Sequence, residues 1–532
     1  MTRSANVIGV TGAGTMGAGI AQLACRSGAR TLLHDPAGEA LERGLERIKA
    51  QLDRGAERGR WSEADASAAT SQLEAAPALE DLKDCELVIE AAPERLETKR
   101  ELFANLSEVV SERCVLATNT SSLLVTAIAT AAAHPERVVG MHFFNPAPVM
   151  QLVEVVAGAE SSPEALALAR AVGEAMGKRV IDALDGPGFL VNRCNRPFAL
   201  EALKLLQEQR ATIEEIDRIC RLGGGFRMGP FELMDLVGVD VGLDVSRSFY
   251  EQSFGEPRWR PSPITARTVA AGRLGRKCGR GYYDYSEGTD AYRAADPSPP
   301  PAGGGQGLIV IAGHSPLALE LSAAARDAGW ELASPGEAEA RGAVPTLIVD
   351  LTGGEEPEAP LQGGPQAICC AAGSLAALDP GGAAVGFHAL PPFEQAQLVE
   401  LTRGVDTAPS ATAVAERFFA TLGKHTAWVG DAPGLVLGRV ICQVANEAAF
   451  ALSEGIGSAE DIDAGMVNGL SYPRGPLAWA DEIGLDHVLS VLDALFEELR
   501  EERYRAAPAM RRLALSGRLG RQVGEGFFSY ED

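Results

Sequence analysis

His142 and Glu154 stand twelve residues apart in "GMHFFNPAPVMQLVEVV", and His388 and Glu400 repeat that spacing in "GFHALPPFEQAQLVE". An imidazole beside a carboxylate is suited to general base catalysis. The acid holds the proton of one ring nitrogen and fixes the tautomer, leaving the other nitrogen to take a proton from a substrate. The bland alternative for one such pair is a core His satisfied by a neighbouring Glu. "VVGMHFFNP" reads as a strand running out into a loop, which puts His142 at the carboxyl edge of a sheet, where such folds bind ligands.

A glycine turn in the same stretch favours chemistry at the first pair. "VIGVTGAGTMGAGIA" sets Gly12, Gly14 and Gly17 between a buried strand and a helix. The first glycine permits the tight turn, the second lets the backbone approach a pyrophosphate, and the third lets the helix pack against the strand. The helix amides and its positive end then face the phosphates. The next strand, "ARTLLHD", ends in Asp35, eighteen residues after Gly17. An acid there accepts hydrogen bonds from ribose hydroxyls and repels a 2′-phosphate, so the pattern predicts NAD rather than NADP. A capping role for Asp35 before "PAGEAL" is the structural alternative.

These residues need strands and helices in alternation to hold them. From residue 5 to about 184, short Val/Ile/Leu runs alternate with helical segments, as in a parallel sheet covered by helices. From Asp185 to Tyr285 such runs vanish, and "NRCNRPFALEALKLLQE", with "PGF" as its proline start, has helical spacing. "YSEGTDAYRAADPSPPPAGGGQG" reads as a linker that can bury little. The plan then recurs: "DGPGFLVNR" parallels "DAPGLVLGR", and "AGRLGRKCGRGYYDY" parallels "SGRLGRQVGEGFFSY". We read a tandem duplication. The fold class is α/β plus all-α: residues 1–184 a dinucleotide-binding domain, 185–285 helical, 286–306 linker, 307–430 a reduced copy of the first, and 431–532 a second helical domain.

The chain has 532 residues and a formal charge of −24, which argues against nucleic acid or anionic membrane as a general partner. Its nine Cys are scattered, with no CxxC and no Cys/His cluster at metal spacing, so no metal is expected. Reduced thiols, and an N-terminus passing directly from "MTRSA" into an apolar strand, predict a cytoplasmic protein.

"GAGTMGAGIAQ", "ATNTSSL", "GMHFFNPAPVMQLVEVV", "GPGFLVNR" and "MGPFELMDLVG" together resemble the L-3-hydroxyacyl-CoA dehydrogenase family, including its bacterial 3-hydroxybutyryl-CoA members, across residues 5–285. The second half resembles the reduced Rossmann-like and repeated helical domains of the fused members. The resemblance implies an N-terminal Rossmann domain and NAD-dependent oxidation of (S)-3-hydroxyacyl-CoA in fatty-acid, butanoate or aromatic-compound catabolism. A 3-hydroxyadipyl-CoA-specific enzyme of phenylacetate degradation is the alternative within the family. It further implies that His142 is the base, oriented by Glu154, with Ser121 and Asn192 hydrogen-bonding near the reacting oxygen. Thr15, Met16, Glu94, Lys99, Asn119, Asn145 and Lys277 would contact the cofactor. The helical arm "LERGLERIKAQLDRGAERGR", with Arg47, Lys49 and Arg54, would meet CoA; a solvated helix with Glu/Arg pairs explains the same residues.

Two further classes compete. β-Hydroxyacid dehydrogenases acting on free acids share the glycine loop but rely on a Lys in the helical domain. A nucleotide-binding structural or sensor protein accounts for the loop but not for Ser121, His142, Glu154 and Asn192 together. In the second repeat Gly313 remains, but Ser315, Pro316 and Leu317 spoil the turn, Gly438 replaces Asn192, and Gln522 replaces Lys277. No dinucleotide is expected there, and His388/Glu400 reads as vestigial. Single-copy members pair through their helical domains, which implies an intrachain pseudo-dimer here and leaves a homo-oligomer open.

Overall fold

The computed structural model describes residues 4–289, 291–353, 357–361 and 363–530. The chain separates into two compact units that do not follow chain order. One comprises Met1–Arg193 with Glu454–Leu470, the other Cys194–Ser453 with Ser471–Asp532.

In the first unit the apolar runs become eight strands: β1 (Val7–Thr11), β2 (Arg30–His34), β3 (Leu73–Ala75), β4 (Leu87–Glu90), β5 (Val115–Thr118), β6 (Val138–Phe143), β7 (Leu152–Ala157) and β8 (Arg179–Leu184). They lie in the order β3-β2-β1-β4-β5-β6-β7-β8. The order reverses between β1 and β4, which opens a crevice at the carboxyl ends of the strands, beside the glycine turn. The pairings are parallel as expected, with one exception: β6 and β7 run antiparallel. The stretch between Phe143 and Leu152 is shorter than the dozen or so residues a parallel crossover needs, so it can only form a hairpin.

Helices cover both faces through matched apolar stripes. Gly38–Glu57 buries Leu41, Gly44, Ile48, Leu52 and Gly55, a spacing of three and four that lays one face on the sheet. Ser62 caps the next helix in a reciprocal pair with Asp65. The helix Ala459–Leu470, from the second repeat, packs on β7 and β8.

The second unit holds a seven-stranded sheet: β9 (Leu308–Ala312), β10 (Glu331–Ala333), β11 (Leu347–Asp350), β12 (Gln366–Cys369), β13 (Val385–His388), β14 (Leu398–Arg403) and β15 (His425–Trp428). The order β10-β9-β11-β12-β13-β14-β15 matches the first sheet without its outermost strand, and β13/β14 repeats the antiparallel hairpin. The short helix Pro335–Arg341 stands where the first repeat has its long arm. The helix Ile213–Leu222, from the first repeat, packs on β14, where Gln397 N donates to Leu222 O at 2.7 Å.

One expectation needs correction here. Pro187 of "PGF" does not open the first helix: a short helix Val191–Cys194 leads into Arg196–Gln207, whose first turn carries Pro197. The Pro/Gly-rich stretch buries little, with no described residue of 286–306 fully buried, but side-chain contacts hold it. Tyr292 stacks against Tyr283 and Tyr285, while Arg293 pairs with Glu232 and Asp296 with Arg221. All nine cysteines are free thiols, and only Cys278 is exposed.

Candidate active site

The glycine turn follows β1. Gly12 has φ +96°, and a Cβ there would meet Ala91 O at 2.6 Å, so only glycine fits. A Cβ on Gly17 would lie 1.7 Å from Gly12 O, which makes it the close-packing glycine. Gly14 differs: nothing lies within 4 Å of its Cβ position. No protein atom requires glycine at 14, and the free space in front of it suits a pyrophosphate lying against bare backbone. The donor set therefore fits a dinucleotide. Asp35 follows β2 and accepts from Ala13 N at 2.8 Å through one oxygen and from Ala37 N at 2.9 Å through the other, so it also braces the turn. Thr15 and Met16 open the helix Thr15–Arg26, and Arg47 Nη1 reaches Thr15 Oγ1 at 3.5 Å. Lys49 and Arg54 are exposed along the same helix as Arg47.

At the end of β4 a buried charge network shapes the neighbouring loop. Lys99 is 1% exposed and pairs with Glu90 at 2.6 Å and Glu94 at 3.3 Å. This corrects the expectation that Lys99 touches the cofactor: it is sealed beneath Glu94 and acts through it. Glu94 Oε1 accepts from Thr120 Oγ1, Ser121 N, Ser122 N and Ser122 Oγ, fixing the "NTSS" loop. Burial opposes ionisation of Glu94, but Lys99 and these donors outweigh it and hold the carboxyl below its usual range. Asn119 Oδ1 accepts from Phe143 N at 2.8 Å, tying β6 to this loop.

His142 and Glu154 face each other across the β6/β7 hairpin as register partners. Residues directly opposite on one face of an antiparallel pair have Cβ atoms about 5 Å apart, so the hairpin alone brings the groups together. His142 Nδ1 lies 2.6 Å from Glu154 Oε2. Glu154 Oε1 accepts from Leu190 N at 3.1 Å and Val191 N at 3.0 Å. The carboxylate is fully buried, and the ring packs against Phe144 and Phe189. Asn192 directly follows the second of these amides. Asn145 is exposed on the loop after β6. Lys277 belongs to the other unit, where it pairs with Asp240.

Sequence reasoning passed over several positioning residues. Glu90 accepts from Lys99, Ala92 N and Thr118 Oγ1. Lys178 donates to Ala147 O and Met150 O at 2.6 Å, pinning the loop after His142; burial, with Arg26 adding to it, lowers its ammonium to about 8. Lys424 does the same for Phe393 O and Ala396 O in the second repeat. Aligning "MGKRV" with "TLGKHT" carried that signal.

The second pair has come apart. Val125 N and Leu375 N bind equivalent carboxylates, Asp185 and Asp431, which sets the correspondence of the repeats. Ser121 then matches Ala371, and Asn119 matches Cys369. Glu400 gives both oxygens to amides, Val436 N at 2.7 Å and Leu437 N at 3.1 Å. His388 Nδ1 is buried with no hydrogen-bond partner, and Nε2 lies 3.1 Å from His487 Nε2. A Cβ at Gly438 would be 2.2 Å from His388 Cε1, so the ring fills room that an Asn would take. Burial pushes Glu400 up to about 8, against the pull of the two amides, and drives His388 well below its usual range. Among the described residues no group of three or more His, Cys, Asp or Glu could hold a metal, and no helix is long and apolar enough to cross a membrane.

A Rossmann sheet with an open glycine turn, and a His–Glu pair at the neighbouring strand edge, defines a nicotinamide-dependent dehydrogenase. Comparison with known proteins narrows the class. Residues 7–186 match the model of the 3-hydroxyacyl-CoA dehydrogenase NAD binding domain, and the C-terminal domain model of that family matches twice, at 188–285 and 434–530. The chain belongs to the 3-hydroxyacyl-CoA dehydrogenase family of NAD-dependent oxidoreductases. It is 35% identical to the 3-hydroxyadipyl-CoA dehydrogenase of Escherichia coli K12 over 97% of this chain and 98% of the relative. It is 41% identical to a probable 3-hydroxybutyryl-CoA dehydrogenase of Bacillus subtilis over 53% of this chain and 97% of the relative. A crystal structure of 3-hydroxybutyryl-CoA dehydrogenase from Escherichia coli K12 superposes with a TM-score of 0.82 at 34% identity, covering 97% of this chain and all of that one.

Proposed function

We propose that the chain oxidises (S)-3-hydroxyacyl-CoA to 3-oxoacyl-CoA in the cytoplasm, with His142 as the general base. The observation that carries this is the 2.6 Å contact of His142 Nδ1 with Glu154 Oε2, itself held by two backbone amides. With its proton kept on Nδ1, the ring offers Nε2 to the 3-hydroxyl. NAD, held along Gly12, Gly14, Thr15, Met16 and Gly17 with Asp35 on its ribose, supplies the hydride acceptor. Glu94 with Asn119 shapes the nicotinamide end, and Asn145 contributes from the loop after β6. Ser121 and Asn192 donate hydrogen bonds to the substrate oxygen, and Arg47, Lys49 and Arg54 receive the CoA phosphates. Replacing His142 by Ala should leave NADH binding intact and lower kcat at least about 10³-fold. Turnover within tenfold of wild type would show that another group is the base.

For the acyl group we favour 3-hydroxyadipyl-CoA, because the relative bearing that name matches nearly end to end. That substrate suits aromatic-compound catabolism. A preference for 3-hydroxybutyryl-CoA, the activity for which the superposed crystal structure is named, suits butanoate or fatty-acid metabolism. Parallel assays with 3-oxoadipyl-CoA and acetoacetyl-CoA decide between them. The second repeat is a vestigial site kept for its surface. Arg439, fully buried, reaches Glu201 at 3.0 Å and Glu208 at 2.7 Å, which supports an intrachain pseudo-dimer of helical domains. Deleting residues 307–532 should leave an aggregated first half; a soluble, fully active monomer would refute that role.

A further inference from the structure

Two amides, Leu190 N and Val191 N, hold the carboxylate that orients His142, so whatever fixes those amides governs the base. Their backing comes from the other repeat. A Cβ at Gly465, in the helix Ala459–Leu470, would lie 2.8 Å from Val191 Cγ2 and 3.0 Å from Ile181 Cδ1. One at Gly469 would lie 2.7 Å from Leu152 Cδ2, 3.4 Å from Val191 Cγ1 and 3.5 Å from Phe144 Cε1. Phe144 in turn packs on the His142 ring with centroids 4.6 Å apart. Leu184 N donates to Ile456 O at 3.1 Å, and the buried Arg193 pairs with Glu454 at 2.8 Å. The segment is thus fastened on both sides of Leu190 and Val191, by backbone before them and by an ion pair after them.

We propose that Glu454–Leu470, part of the catalytically degraded repeat, is the positioning element of the first repeat's His–Glu pair, with Val191 as the relay. Bulk at Gly465 displaces Val191, Val191 N leaves Glu154 Oε1, and Glu154 no longer holds the ring. The exchange is reciprocal: in the second unit Cβ atoms at Gly223 and Gly224 would lie 3.2 Å and 2.9 Å from Leu437, the residue whose amide holds Glu400. The retained half therefore gives the active site its exact seating as well as a surface to pair with.

This inference rests on His142 being the base, and the experiment separates the two. Gly465→Val in the full chain should lower kcat at least about tenfold, since a displacement near 1 Å at a reacting group costs up to 10²-fold. NADH affinity should stay within about twofold, because Val191 is not among the residues that hold NAD in this reading. Adding Val191→Ala removes the methyls that the new side chain meets and should restore most of kcat. If Gly465→Val fails to fold, Gly465→Ala carries the same test with one methyl and a smaller loss. A wild-type kcat in the folded variant, or a loss that Val191→Ala does not reverse, overturns the proposal. Unimpaired turnover in His142→Ala overturns the base assignment instead.

Discussion

Replacing Glu154 by Gln tests the imidazole tautomer with almost no change in shape. Oε1 accepts from two backbone amides, while Oε2 faces His142 Nδ1 at 2.6 Å. Because both backbone groups are donors, the Gln carbonyl oxygen must stay with them, and the Gln NH₂ turns to the ring. A donor facing Nδ1 makes that nitrogen an acceptor and moves the ring proton to Nε2. The base then meets its substrate already protonated. The matching Asp-to-Asn change in a Ser-His-Asp triad lowers kcat about 10⁴-fold. At about 1.36 kcal/mol per factor of ten, that is roughly 5 kcal/mol of transition-state stabilisation. Stability should change by no more than about 1 kcal/mol, since the amide bonds are kept. The assay is NADH formation from saturating (S)-3-hydroxybutyryl-CoA, with thermal unfolding and NADH titration on the same preparation. A folded, NADH-binding variant turning over within tenfold of wild type would refute the tautomer argument.

Two further predictions follow from the glycine turn and the second pair. Gly14→Ala should unfold at the wild-type temperature yet bind NADH at least about tenfold more weakly, because its methyl enters only the ligand's space, whereas Gly17→Ala should lose about 2 kcal/mol or more from a clash with Gly12 O. Glu400 is raised to about 8 in the folded chain, against about 4.3 for an unfolded Glu. Its contribution to stability is therefore complete below the unfolded value and is lost as pH climbs through the folded one. Because the buried His388 slopes the other way in the lower part of this window, the comparison is with Glu400→Gln: between pH 5 and pH 8 the wild type should lose on the order of a few kcal/mol more than that variant in denaturant titrations, with turnover unaltered; equal slopes would mean that Glu400 is already ionised.

The most legible parts of the site are those written in local pattern. The twelve-residue interval from His142 to Glu154 is a hairpin register, and any chain reversing between those strands must bring the two side chains together. The Gly12, Gly14 and Gly17 spacing is likewise a local demand of one turn. What could not be read depended on distant partners. The family resemblance implies a cofactor contact for Lys99, whereas the fold encloses it between Glu90 and Glu94. Lys178 shows only in the repeat, where "MGKRV" matches "TLGKHT", because its own partners are carbonyls 28 and 31 residues away. The exchange of helices between the repeats leaves no periodic trace, since a helix with an apolar face reads the same whichever sheet it covers.

The placement of Glu454–Leu470 against β7 and β8 has a consequence for biosynthesis. A ribosome adding about 5–20 residues per second finishes Arg193 roughly 13–50 s before that segment emerges. Throughout that interval Leu152, Val191 and Ile181 present an uncovered apolar face. Nascent chains held at that stage are natural clients for chaperones, and splitting the gene between the repeats would leave the first product waiting for a cover that it cannot make itself.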